Sequence, residues 1–218
     1  MARGRYDLQL RELQDDLFRL ASMVESSISR AVEALQEQDI VAAQRVIADD
    51  DNIDRAQYAL EEKALLLIAR QAPIAADLRL ISAVISIASE LERMGDYAEG
   101  IAEITIRGAN APLLKPLVDI PRMAQVAQRM LHDALDAFAR RDAEAARRLA
   151  SEDDEVDQLT TIVQSDLLKM MMQQPDSSER ALHLMFVAHN LERVADRATN
   201  IAERLIFLVT GDIVDLND

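Results

Sequence analysis

Residues 91–103 read LERMGDYAEGIAE, and residues 191–203 read LERVADRATNIAE. One frame, L-E-R-x-x-D-x-A-x-x-I-A-E, thus occurs twice at an offset of 100 residues. The repetition spreads outward from there. DDNID at 50–54 is matched by DDEVD at 153–157, and Pro73 by Pro175. Charge divides in the same way. Residues 1–110 hold 12 basic and 20 acidic side chains, net −8, and residues 111–218 hold 12 and 19, net −7. A pattern carried twice is the mark of two copies of one supersecondary unit.

Composition says what that unit is. Half the residues are hydrophobic, only 3% are aromatic, and there are five Gly and five Pro in 218 residues. Ala, Leu, Ile, Glu, Asp, Arg and Gln dominate, and most of these lose little side-chain freedom in a helix. Six amphipathic segments follow. The first runs from Tyr6 to Gln38, with Leu10, Leu13, Leu17, Leu20, Ile28, Ala31 and Leu35 near helical spacing. The second and third are 40–70 and 75–107, hinged at Pro73, because the residue before a proline leaves the helical region. The fourth and fifth are 121–140 and 142–173. The sixth starts at a cap among Asp176, Ser177 and Ser178 and runs to about Thr210. Asp39 is an expected N-cap and Gly211 an expected C-terminal stop. GANAPLLKPLVDIP (108–121) is the one proline-rich stretch and the expected internal boundary. No strand pattern is visible. The expectation is an all-α fold of two tandem antiparallel three-helix bundles, 1–110 and 111–218, related by an internal repeat.

Several function classes fall away at this point. There is no cysteine, hence no disulfide framework and no thiolate chemistry. The basic start, Met1 to Arg5, is not followed by the apolar core of a signal peptide. No run approaches the length of a membrane span. A soluble cytoplasmic protein is expected. A net charge of −15 argues against nucleic acid as a partner, since phosphate contacts need clustered Lys and Arg. It suits cations or a basic protein face.

The hairpin geometry converts the repeat into candidate sites. If the second and third helices fold back near Ala72–Pro73, equal rise per residue puts positions summing to about 145 at one height. Asp50 and Asp54 then lie beside Glu92 and Asp96. In the second half the turn at Pro175–Asp176 sets Asp153 and Asp157 beside Glu192 and Asp196. Each pair is spaced i, i+4 and so shares one helix face. Asn200 follows one turn further, where the first half has Gly100. Four carboxylates a few ångströms apart repel unless arginine, protons or metal cations neutralise them. Oxygen ligands suit Mg²⁺, Mn²⁺, Ca²⁺ or iron.

The bland readings differ in kind. A single E-x-x-x-D is common on solvated helix faces, and Arg93 and Arg193 are adjacent counter-charges; the doubling weakens that reading and sets a metal-type site level with it. His132 reads as a surface residue and His183 as packing, while His189 lies three residues before Glu192. Met170–Met172 reads as filler. A metal-dependent enzyme is one rival, though no nucleophile, base or phosphate loop is evident. A ligand-free helical scaffold is the other.

The doubled LERxxDxAxNIAE phrase, the DDxID and DDEVD runs and the P-x-x-x-D-L-R turn at Pro73 resemble the PhoU family over essentially the whole chain. The resemblance implies two three-helix bundles and a cytoplasmic, non-enzymatic negative regulator of the phosphate regulon. Its implied partners are the ATPase subunit of the phosphate ABC transporter and the phosphate-sensing histidine kinase. A homodimer is compatible with it, and membrane contact is through partners alone. The family's E-x-x-x-D motifs are associated with metal, as iron or zinc clusters or as Mg²⁺ or Mn²⁺. Carried over, the metal positions are Asp50, Asp54, Glu92, Asp96, Asp153, Asp157, Glu192, Asp196 and Asn200. Gly100 departs from this pattern, which implies a weaker first site or one with fewer ions.

Overall fold

A computed structural model describes residues 2–115 and 117–216, with the side chains of Ala2 and Arg3 not described; Met1, Pro116, Asn217 and Asp218 lie outside the described residues. Of the sequence expectations, only Pro116 of the proline-rich stretch and Met1 of the basic start fall on these. Among the described residues the chain is all helix and connection, without a strand. The helices are α1 (Ala2–Glu37), α2 (Ile40–Gln71), α3 (Ala75–Gly108), α4 (Asp119–Arg140), α5 (Ala143–Arg148), α6 (Ala150–Gln173) and α7 (Ser178–Thr210), with a 3₁₀ turn at Pro175–Ser177 before α7.

Local chemistry sets the ends. Asp39 caps α2, its Oδ1 accepting from the Val41 and Ala42 amides at 2.8 and 2.9 Å. Asp142, at the equivalent place in the second half, caps α5 by accepting from Ala145. The residue before each cap, Gln38 and Arg141, is left-handed, at φ 54° and 55°. The two halves therefore turn the same corner with the same backbone. Ala72 ends α2 in the left-handed conformation, and its N–H closes on Ile68 ahead of Pro73. Gly211 ends α7 at φ 83°, with its N–H on the Phe207 carbonyl.

Two details depart from the sequence reading. The segment expected as one helix from 142 to 173 is stepped at Leu149, whose N–H bonds Ala146 in the tighter i→i−3 manner before α6 resumes. The cap before α7 is not a side-chain cap. Ser177 and Ser178 donate instead to the carbonyls of Gln174 and Pro175 at 2.6 and 2.7 Å, which holds the 3₁₀ turn closed.

Helices α1, α2 and α3 pack on one another, as do α4, α5–α6 and α7, and α3 lies along α7. The order across one layer is α2, α3, α7, α6. Behind it α1 and α4 touch. One buried apolar cluster runs from Leu10 to Leu208 through both halves. The halves are thus repeats sharing a core. The connection after α3 is strapped down: Gln38 Nε2 donates to the Ala111 carbonyl at 2.8 Å and Arg180 Nη1 to the Pro112 carbonyl at 3.2 Å. No helix is long and apolar enough to cross a membrane among the described residues.

Candidate cation sites

Each groove between the second and third helices of a repeat has an aspartate at its floor. Asp50 on α2 is 8% exposed and Asp153 on α6 is 9% exposed. In both, Oδ1 is buried without a hydrogen-bond partner. Burial comes first, and neighbouring carboxylates second, in pushing both side chains up to about 7. An unpartnered buried carboxylate is costly, and this chain holds one at equivalent places in both repeats.

In the first repeat, one oxygen each from Asp50, Asp54 and Asp96 lie within 4.8 Å of one another. Glu92 and Glu99 add their charge at Asp50, Glu99 most strongly. Burial also raises Glu92, Asp96 and Glu99, with Asp54 adding to each and Arg93 partly opposing the first two. None of these five carboxylates has an ion pair among the described residues. Close approach is made possible by Gly95 on α3: a Cβ there would sit 3.0 Å from Asp50 Oδ1 and 3.2 Å from Ile53. The equivalent residue in the second repeat is Ala195.

The second repeat assembles Asp153 and Asp157 on α6 with Glu192 and Asp196 on α7, all four close enough for the charges of the other three to raise Asp153. Burial, then Asp196 and Asp154, raises Asp157. Here, however, other side chains engage the carboxylates. Arg193 Nη1 donates to Asp196 Oδ2 at 2.8 Å, and His189 Nδ1 lies 3.4 Å from Glu192 Oε2. No second-repeat triple gathers as tightly among the described residues.

Asn200 sits elsewhere. Its Nδ2 donates to Glu90 Oε2 on α3 at 3.2 Å, beside Arg197 Nη1 at 3.2 Å from the same oxygen. Its counterpart Gly100 faces the other way across the same seam, where a Cβ would meet Asn190 Nδ2 at 2.9 Å. The 100/200 pair thus lies at the α3–α7 contact. Asn190 leaves no room for a larger side chain at Gly100. Glu99 is the residue that spacing arguments passed over. It lies seven residues after Glu92 and three after Asp96, on the same face, so its signal was present; Thr199 at the matching place hid it from a comparison of the repeats.

Of the other singled-out residues, His132 is exposed, with Nδ1 3.9 Å from Glu25. His183 is half-buried. Met170 and Met171 pack on the core, while Met172 is exposed.

Carboxylate oxygens alone, without thiolate and with at most one imidazole nearby, make a hard donor set. It suits Mg²⁺, Mn²⁺ or iron better than a structural zinc site. The orphaned Asp50 and Asp153 oxygens fit that use.

A family model described as PhoU domain matches the chain twice, at residues 17–105 and 120–205. The chain is 39% identical over 206 residues to the phosphate-specific transport system accessory protein PhoU homolog of Aquifex aeolicus, covering 94% of this chain and 93% of that one. It is 33% identical over 208 residues to the phosphate-specific transport system accessory protein PhoU of Escherichia coli, covering 95% and 86%. The crystal structure of PhoU from Pseudomonas aeruginosa superposes at a TM-score of 0.90, with 33% identity, covering 95% of this chain and 100% of that one. The phosphate transport system regulatory protein PhoU from Streptococcus pneumoniae also gives 0.90, at 32% identity, covering 96% and 99%.

Proposed function

The chain belongs to the PhoU family, and from that premise we propose that it is a cytoplasmic, non-enzymatic regulator of phosphate uptake that uses two cation sites to set its shape. Its relatives are named as accessory or regulatory proteins of phosphate transport systems. On this reading it represses the phosphate regulon when phosphate is plentiful, by contact with the transporter's ATPase subunit and the sensor histidine kinase. It reaches the membrane through those partners. Each repeat, 1–110 and 111–218, contributes one site.

The observation that carries the cation part is the pair of equivalent, buried, unpartnered aspartates, Asp50 and Asp153. The first site would be held by Asp50, Asp54 and Asp96, with Glu92 and Glu99 alongside. The second would be held by Asp153, Asp157, Glu192 and Asp196. A bound divalent ion would supply positive charge to carboxylates that outnumber the arginines beside them. The carboxylates come from two helices in each repeat, so they clamp α2 to α3 and α6 to α7 and fix the face those helices present. Asn200 and Glu90 serve the seam between the repeats.

The test is repression of a phosphate-regulon reporter in cells whose own copy has been deleted, grown in ample phosphate. The wild-type chain should restore repression, and the Glu92→Ala/Glu192→Ala double variant should lose it together with its stoichiometric metal. A wild-type chain that fails to repress would overturn the regulator reading. A metal-free double variant that represses normally would leave a ligand-free scaffold.

A further inference from the structure

The two acidic clusters share a frame, but among the described residues only the second has an arginine paired with one of its E-x-x-x-D carboxylates. Arg193 Nη1 lies 2.8 Å from Asp196 Oδ2. Its side chain is 42% exposed and that of Asp196 is 21% exposed. Tyr97 of α3 also lies near Arg193. Its counterpart Arg93 makes no ion pair with a carboxylate among the described residues and acts on Glu92 and Asp96 only through its charge.

Positions 93 and 193 correspond, as do 96 and 196. The i, i+3 pair that Arg193 makes with Asp196 is thus equally spaced in the first repeat, where Arg93 and Asp96 do not close it among the described residues. Arg197, on the seam, is committed to Glu90 at 3.2 Å.

We propose that Arg193 is the resident counter-ion of the second acidic site, competing with the metal for Asp196, so that the two repeats load in order: the first cluster fills while Arg193 still occupies the second. This rests on the cation reading above. Both clusters have the feature that calls for a ligand, a buried unpartnered aspartate oxygen. Only one has an internal competitor. A cation entering at Asp196 has to compete with the guanidinium for this carboxylate.

The test is a titration of metal-free, full-length protein with Mn²⁺, read by the loss of the free-ion resonance and by calorimetry. Wild type should show two classes of site. Asp50→Asn should remove the tighter class and Asp153→Asn the weaker one, which assigns them to the repeats. Arg193→Gln should tighten the weaker class about fivefold, the release of an ion pair of about 1 kcal/mol, and leave the tighter class unchanged. Arg193→Lys, with the charge but not the planar fork, should fall between. Arg93→Gln should not touch the weaker class. Equal affinities in the wild type, or a weaker class indifferent to Arg193→Gln, would overturn ordered loading while leaving the cation reading intact. No Mn²⁺ bound by any of these proteins would overturn both.

Discussion

In the first repeat, Asp50, Asp54 and Asp96 bring oxygens within 4.8 Å of one another, and none of them has an ion pair among the described residues. In the second, Arg193 and His189 engage Asp196 and Glu192. The same thirteen-residue frame produces both, so the frame does not determine how the charge is balanced. The repeats differ at residues the frame leaves free, Gly95 against Ala195 and Glu99 against Thr199. Gly95 lets α3 close on Asp50, and Glu99 adds a fifth carboxylate. The first groove is thus the more acidic and the more closely gathered, while in the second one arginine sits on Asp196 and Asp153 still lacks a partner.

The sharpest way to break this comparison is at Gly95. A Cβ alone would stand 3.0 Å from Asp50 Oδ1 and 3.2 Å from two atoms of Ile53, and the methyl groups of valine reach further. Gly95→Val should cost about 3 kcal/mol through overpacking, lowering Tm by about 6–12 °C for a chain of this size. It should also prise Asp50 away from Asp96 and abolish the tighter Mn²⁺ class. A Tm within a degree or two of wild type would mean that α2 and α3 are not in close approach at this height.

Next in size is the response to pH. The folded chain holds the Asp50 and Asp153 protons up to about 7, whereas an unfolded aspartate releases its proton near 3.9. Between those values the folded state binds more protons, so stability of the metal-free protein should fall as pH rises from about 4 to about 7 and level off above. Asp50→Asn and Asp153→Asn should each flatten part of that slope and stabilise the metal-free protein at pH 8. The gain expected from relief of one unpartnered buried charge is about 1–2 kcal/mol. Saturating Mn²⁺ should reverse the order, because the wild type then gains binding energy and the variants do not. Thermal melts from pH 4 to pH 8, with and without Mn²⁺, would show it. A flat profile for the metal-free wild type would contradict the burial of these carboxylates.

The fold was open to reading from the sequence because its signals are local and doubled. Apolar spacing from Leu10 to Leu35, Pro73 and Pro175 at matching turns, Asp39 as a cap and Gly211 as a stop each act within a few residues. The doubled phrase then fixed the topology and brought Asp50 and Asp54 level with Glu92 and Asp96 by helix rise alone. The step at Leu149 was hidden, because one i→i−3 hydrogen bond leaves no trace in hydrophobic periodicity. The seam was hidden for another reason. Helical phase places Asn200 one turn beyond Asp196, but the contact of α3 with α7 decides which partner its amide meets. Arg193 looked like a generic neighbour of Glu192. Its pairing with Asp196 has the same i, i+3 spacing as Arg93 and Asp96, so spacing alone did not tell the two arginines apart.

The smallest expected effect tests whether the repeats still share their corners. Asp39 and Asp142 follow left-handed residues at nearly the same φ and cap the second helix of their repeats. Asp39 accepts from two amides, those of Val41 and Ala42, and caps 32 uninterrupted helical residues. Asp142 accepts from one, that of Ala145, and caps a helix of six residues that is stepped at Leu149. Loss of a cap costs about 1 kcal/mol when the orphaned amides have no other partner. Asp39→Ala should therefore cost about 1 kcal/mol, and Asp142→Ala about half of that, because one amide is released and fraying can stop at the step. Urea melts of the two variants resolve such a difference through the midpoint at constant slope. Equal losses would mean that α5 and α6 melt as one helix and that the step at Leu149 does not interrupt cooperativity. A larger loss at Asp142 would mean that the corner before α5, rather than the one before α2, secures its repeat.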